Sequence, residues 1–276
     1  MSARSMLPRF LYGTAWKEQE TERLVRLAIE NGFRGIDTAN QRRHYFEAAV
    51  GDAVSGAIRD GIVARDELFL QTKFTYVESH DHRLPYDPRA HAATQVQQSF
   101  ASSLEHLQTA VIDSYVLHGP SRRRGLGAID LEVWGAMEGL HRSAKTRHLG
   151  ISNVAVDQLE ELFPRASVRP SFVQNRCFAR LGWDRDVRAF CRKHGIVYQG
   201  FSLLTANVRE LQNAAFRSIV DRVNRTPAQV VFRFALQIGM LPLTGTTDAE
   251  HMREDLAIDD FVLSKDDVEA IENIAI

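Results

Sequence analysis

The 276-residue sequence predicts a (β/α)8 TIM barrel with extra helices and a short C-terminal tail, as one domain over 1–276. Three observations carry that prediction. Short β-rich runs alternate with longer amphipathic stretches, and eight strand–helix units fit the length. The strands read as nearly continuous apolar runs, as strands of a parallel sheet covered on both faces do. A doubly wound sheet is the competing fold, but its G-x-G-x-x-G is missing after the first strand, where the chain reads GTAWKEQET.

The elements follow in order. The strands are RFLYGTA, FRGID, LFLQTKF, SYVLHG, RHLGISN, SFVQNRC, IVYQGFS and MLPLTGT. Between them the apolar spacing predicts helices over Glu20–Asn31, Phe46–Arg59, Ala90–Leu107, Leu131–Ser143, Val156–Leu162, Asp184–Lys193 and Pro227–Gln237. A helix over Asp248–Leu256 follows the last strand, an extra one is expected over Val208–Asn224, and Lys265–Ile274 closes the chain. Glu20–Asn31 shows the logic: Leu24, Leu27 and Ala28, with Val25 beside them, form one stripe, and Asn31-Gly32 stops the helix.

Composition narrows the function classes. With 44% hydrophobic, 25% charged and 9% aromatic residues, the chain is an ordinary globular sequence. A net charge of −1 and a pI near 6.8 give no nucleic-acid or membrane footprint. No apolar run reaches the ~18–20 residues of a membrane span. The start, MSARSMLPRFLYG, does not read as a secretory signal. Two cysteines, Cys177 and Cys191, are too few for a disulfide framework, so a reduced, cytoplasmic setting is expected.

In a barrel of this kind the site lies at the C-terminal strand ends. Those ends carry Asp37, Lys73 and His118 on three successive strands, then Ser152-Asn153, Gln174, Phe201-Ser202 and Thr246. Asp37 and Lys73 on neighbouring strands form an expected ion pair. A lysine near a tyrosine favours the phenolate and so lowers the tyrosine pKa. His118 can donate to an oxygen that gains negative charge. The set suits protonation of a carbonyl oxygen while hydride reaches carbon, and hydride must come from a cofactor.

These segments resemble the aldo-keto reductases. GFRGIDTA is similar to the segment with that family's catalytic aspartate, and EAAVGDAV to the helix after its tyrosine. LFLQTKF and DSYVLHGP are similar to the strands with its lysine and histidine. LGISNV, PSFVQNRCF, YQGFSLL and TPAQVVFRFALQ resemble the cofactor-side segments. The resemblance implies a small-molecule carbonyl substrate and NADPH as cofactor, with NADH possible, bound extended across the strand ends. It implies Asp37, Lys73 and His118 as catalytic residues. It implies that Ser152, Asn153 and Gln174 hold the nicotinamide carboxamide, that Phe201 stacks on the ring, and that Ser202 and Leu204 follow the pyrophosphate. Thr246, Glu254 and Asp255 fall at the adenosine end.

Three departures from the family pattern stand out. The run Asn40-Gln41-Arg42-Arg43-His44-Tyr45 is longer than the family spacing by about two residues, so Tyr45 is the expected acid and His44 the alternative. The Lys-Ser pair and arginine that clamp a 2′-phosphate are replaced by Gly245-Thr246 and His251. Thr246, Thr247, His251 and Arg253 are then the expected phosphate site, at a helix N-terminus. The family's tryptophan after the histidine is Gly119, and the tail beyond Leu263 is short, which implies a more open pocket. Blander readings stand beside these. Asp37 can cap a helix, His118 and Phe201 can be core, and Tyr45 can be a surface aromatic. His80 and His82 read as a solvated loop rather than a metal pair, and SRRRGLG at 121–127 as a solvated basic loop or an attractor of anions. A cofactor-binding sensor and a cofactor-free barrel isomerase or lyase are the rival functions.

Overall fold

Eight parallel strands close into a barrel in sequence order in the computed structural model, which describes residues 7–275. The strands are β1 (Leu11–Gly13), β2 (Gly35–Asp37), β3 (Phe69–Phe74), β4 (Ile112–Leu117), β5 (Thr146–Ser152), β6 (Phe172–Arg176), β7 (Val197–Phe201) and β8 (Met240–Thr244). β1 pairs with both β2 and β8, which closes the ring. The helices are α1 (Thr21–Glu30), α2 (Glu47–Arg59), α3 (Ala92–His106), α4 (Ala128–Arg142), α5 (Val156–Leu162), α6 (Arg185–His194), α7 (Ala214–Val223), α8 (Pro227–Gln237), α9 (Ala249–Leu256) and α10 (Lys265–Glu272). No helix among the described residues is long and apolar enough to cross a membrane. The segment before Leu7, part of the start read above as no secretory signal, lies outside the described residues.

Every expected strand and helix is present; α5 and α8 have the expected bounds and the other helices are shifted. The expected helix over Val208–Asn224 is shorter. Asn213 sits in an extended conformation, and its side chain accepts from the Ala215 amide at 2.8 Å, so the helix starts at Ala214. α8 begins with a capping box: Thr226 accepts from the Gln229 amide, the Gln229 side chain accepts from the Thr226 amide, and Pro227 fills the first turn.

The lumen is graded along its axis. Leu11, Phe69, Phe172, Leu241 and Leu243 fill its lower part. On β3 the inward side chains then run Phe69, Gln71 and Lys73, because alternate residues of a strand face one side. The barrel wall is sealed to its helices by a continuous apolar layer that includes Tyr12, Val50, Phe100, Trp134 and Phe234. Trp183 donates its indole N–H to the Ile271 carbonyl at 2.8 Å, which pins α10 across the loop before α6.

One close helix contact yields a stability test. A Cβ on Gly51 of α2 would lie 1.8 Å from the His106 carbonyl oxygen at the end of α3. Gly51→Ala is therefore expected to destabilise the fold by about 1–3 kcal/mol or more, as overpacking does. Gly135 of α4 has open space around it, so Gly135→Ala should stabilise by about 0.5–1 kcal/mol through helix propensity. Urea unfolding of both variants measures the contrast; equal effects would contradict the close approach.

Candidate active site

A cavity of about 900 Å³ opens at the C-terminal mouth of the barrel and runs from β2 and β4 across to α7, α8 and α9. Asp37, Tyr45, His118, Ser152, Asn153, Gln174, Phe201, Ser202, Leu204, Thr246, Glu254 and Asp255 all line it. Lys73, the remaining residue of the expected site, is fully buried just beneath.

The floor of the site is an ion pair. Lys73 Nζ donates to both Asp37 oxygens at 2.7 and 2.8 Å and to the Thr38 carbonyl at 2.8 Å. Asp37 Oδ1 also accepts from Gln71 Nε2 at 2.8 Å and Gln174 Nε2 at 3.0 Å. Gln199 accepts from both of those amides and returns a bond to Gln71 Oε1 at 3.0 Å. Burial pulls the Lys73 pKa down and the Asp37 charge pulls it back up, with burial the larger effect. The pair contributes little net stability, because desolvation offsets attraction, but each charge fixes the other.

Above the pair, the loop after β2 presents Tyr45 and not His44. Lys73 Nζ lies 5.4 Å from the centre of the Tyr45 ring, and that ring meets His118 edge-on at 5.9 Å. His44 stacks on Trp16 at the rim, with ring centres 4.1 Å apart. The loop enters α2 at a fixed point, because the buried Glu47 carboxylate accepts from Thr72 and is paired with His106 at 3.0 Å. The expected lowering of the tyrosine pKa by Lys73 does not prevail. Burial, aided by the Asp37 charge, pushes the Tyr45 hydroxyl up, so it holds its proton. Lys73 spends its three protons on Asp37 and Thr38, and Asp37 offsets its charge.

His118 is held neutral. Burial and then the Lys73 charge push its pKa down to about 3. Its Nδ1 is 2.7 Å from Thr75 Oγ1. That hydroxyl has no other partner among the described residues, so it is expected to donate to Nδ1, the arrangement that leaves the ring proton on Nε2. The Thr75 carbonyl is itself fixed by Tyr86 Oη at 2.7 Å and His80 Nε2 at 3.2 Å. His80 is thus buried in this packing, not solvated as its loop suggested.

On the other side of the cavity Ser152 Oγ donates to the Gln174 carbonyl at 2.6 Å, and Asn153 Nδ2 donates to the His118 carbonyl at 2.7 Å. The Gln174 amide N–H groups serve the ion-pair network, which leaves its Oε1 as an acceptor. Trp16, Asn153 and Ser202 have φ of 64°, 51° and 57°. Three strand exits around the mouth therefore hold side-chain-bearing residues in the left-handed region, where strain gathers at functional sites. At the far end, the expected phosphate site on α9 is altered. Asp248 accepts from the Glu250 and His251 amides at 2.7 and 3.1 Å, so the helix N-terminus already holds a carboxylate. Arg253 turns to Asn31 at 3.1 Å. Asp255 is pushed up to about 6 by burial.

Sequence reasoning missed Thr75, Gln71, Gln199 and Lys17. Period-two alternation from Lys73 reaches Gln71 and Thr75, so that signal was available. Lys17 had none: from the loop after β1 its Nζ reaches the Gly245 carbonyl at 2.7 Å, just past the neighbouring β8, and burial lowers it to about 8.

A family model for the aldo/keto reductase family matches residues 10–276. Glyoxal reductase of Bacillus subtilis (strain 168) is 31% identical over 253 residues, covering 92% of this chain and 83% of that protein. Methylglyoxal reductase DkgA of Yersinia pestis is 28% identical over 257 residues, covering 93% and 84%. The crystal structure of an aldo/keto reductase from Brucella melitensis matches with a TM-score of 0.82 at 25% identity, over 97% of this chain and 94% of that one.

The state of His118 is directly measurable. Its ring is expected to show one protonated nitrogen, Nε2, and no titration near 6.5, gaining a proton only as pH falls toward about 3. Because folding depresses this pKa, the unfolded chain binds the proton first, so the contribution to stability is present above 6.5 and is lost as pH falls toward 3. Long-range 1H–15N NMR reads both points. Thr75→Val should mix the two tautomers, and an unchanged spectrum would remove Thr75 from this role.

Proposed function

The chain belongs to the aldo/keto reductase family and is an NAD(P)H-dependent oxidoreductase of carbonyl compounds, and we propose that it reduces a small aldehyde or ketone with Tyr45 as proton donor. The observation that carries this reading is the convergence of Tyr45, neutral His118 and the Lys73–Asp37 pair at one end of a long cavity. His118 Nε2–H holds the carbonyl oxygen and polarises it. Tyr45, protonated at rest, passes its proton to that oxygen as charge develops there. Lys73, 5.4 Å from the Tyr45 ring and held in place by Asp37, is the cation beside the phenolate left behind, its effect reduced by the Asp37 charge.

The rest of the cavity fits a dinucleotide in kind. NAD(P)H, when bound, supplies the hydride that no side chain can. Gln174 Oε1 is an acceptor suited to the carboxamide NH2, with Ser152 and Asn153 beside it. Phe201 offers a ring face, Ser202 and Leu204 border the middle, and Thr246, Glu254 and Asp255 border the adenosine end. NADPH is the cofactor of this reading, with NADH alongside. On α9 a 2′-phosphate would meet His251 but also the Asp248 carboxylate, so discrimination should stay within about tenfold, or ~1.4 kcal/mol. A cytoplasmic setting belongs to the same reading, since Cys177 and Cys191 are both free thiols.

Loss of NADPH and NADH absorbance with an activated aromatic aldehyde tests the reading. Tyr45→Phe should lose about 10²–10⁴-fold in turnover, the range of general acid catalysis, while cofactor binding by fluorescence stays intact. An active Tyr45→Phe enzyme would move the role to His44. Tight cofactor binding with no turnover of any aldehyde would replace this reading with a cofactor-binding sensor.

A further inference from the structure

We propose that Asn175 and Asp184 are positioning residues for the cofactor: from outside the cavity they set the Ser152-Asn153 pair that meets the nicotinamide carboxamide, so their loss weakens the hold on the nicotinamide half alone. The inference rests on the NAD(P)H-dependent reductase reading. Asn175 is unlike its neighbours on the outer face of β6. Alternate residues of a strand face opposite sides. Gln174 points into the lumen, where it donates to Asp37 and Gln199, while Val173 and Cys177 join the apolar layer outside the barrel wall. Asn175 lies between those two on the outer side and is only 7% exposed. A buried amide in such a layer is costly unless its polar atoms are paired. Here they are. The Val154 amide donates to Asn175 Oδ1 at 3.0 Å, and Asn175 Nδ2 donates to the Val154 carbonyl at 2.8 Å and to Asp184 Oδ2 at 2.8 Å.

The side-chain amide therefore pairs with the backbone as a neighbouring strand would. The register of β5 on β6 ends at Ser152 and Gln174. The Asn153 amide still donates to the Gln174 carbonyl at 3.0 Å, and Asn175 carries the pairing on to Val154. Asn153 sits between these bonds with φ of 51°. A residue with a side chain keeps that left-handed conformation only where its surroundings hold it. Asp184 decides which way round the Asn175 amide sits. With oxygen and nitrogen exchanged, Oδ1 would face both the carboxylate and the Val154 carbonyl, and Nδ2 would face the Val154 N–H. Tyr198 Oη also donates to Asp184 Oδ2, at 2.8 Å. Asp184 is itself left-handed, with φ of 59°, and follows the fully buried Trp183, whose carbonyl accepts from Arg188 Nε at 2.7 Å. The contacts thus run from Asp184 through Asn175 and Val154 to Asn153. Asn153 lines the cavity and donates to the His118 carbonyl, whereas Asn175 and Asp184 lie behind it. Any effect they have on the reaction passes through that strand exit.

Calorimetric titration with NADPH and with 2′-phospho-ADP-ribose, which lacks the nicotinamide ring, tests this. Asn175→Leu suits the apolar layer but leaves Val154 unpaired. It should weaken NADPH about tenfold, the worth of one or two hydrogen bonds, and leave 2′-phospho-ADP-ribose within about twofold. Asp184→Gly removes the carboxylate without backbone strain, because glycine adopts a φ of 59° freely, and should show the same split. Asp184→Asn keeps an acceptor for Asn175 and should bind NADPH as the wild-type protein does. Unchanged NADPH affinity in Asp184→Gly would overturn the proposal. So would an equal loss of both ligands, or a loss in Asp184→Asn as large as in Asp184→Gly. If Asn175→Leu does not fold, the two Asp184 variants decide alone. These titrations need no turnover, so they hold for a cofactor-binding sensor as well. A wild-type protein that binds no NADPH would reject this inference together with the reductase reading. One that reduces the aldehyde while the variants keep full NADPH affinity would reject this inference alone.

Discussion

A buried pair of opposite charges governs this barrel. Asp37 and Lys73 sit in a lumen whose lower half is hydrocarbon, where an isolated charge is costly. Each therefore enforces the other, and the remaining lone pairs of Asp37 recruit Gln71 and Gln174. Gln199 completes the layer. The network ties β2, β3, β6 and β7 across the barrel axis, where backbone pairing only joins neighbours. Its net energy is small because desolvation nearly cancels attraction. Its effect is geometric: the mouth of the barrel has one arrangement of charge.

The same dry environment decides the protonation states above it. Tyr45 and His118 both lie within reach of Lys73, and a lysine alone would favour a phenolate. Asp37 offsets that charge, and burial favours the neutral form of both rings. Tyrosine and imidazole thus enter the reaction as two neutral donors. Thr75 adds the choice of tautomer, which neither burial nor charge can make.

Strain and charge are distributed along the barrel axis. The lower end is locked by Asp113, which is buried and accepts from Arg65, Arg147 and the Leu70 amide, joining β3, β4 and β5. The mouth instead presents Tyr45, His118 and the free Gln174 acceptor to the cavity. A rigid base permits this, since the loops that carry chemistry do not have to supply the stability of the fold.

Much of the fold and part of the site were legible in the sequence. Strand–helix alternation gave all eight strands because parallel strands buried on both faces are apolar throughout. The strand-end rule brought Asp37, Lys73 and His118 together, and Tyr45 followed from one loop. Bounds were less secure: Asn213 starts the expected helix later than its apolar spacing implies, by a side-chain bond that periodicity does not register. Linear spacing also could not choose between Tyr45 and His44, nor reveal that Asp248 fills the α9 N-terminus. The sequence by itself determined which residues reach the barrel mouth, because alternation and strand order are local properties of the chain. Only the tertiary structure decided their ionisation, tautomers and partners. Those depend on burial and on charges brought close from distant parts of the chain, and both are fixed only when the barrel closes.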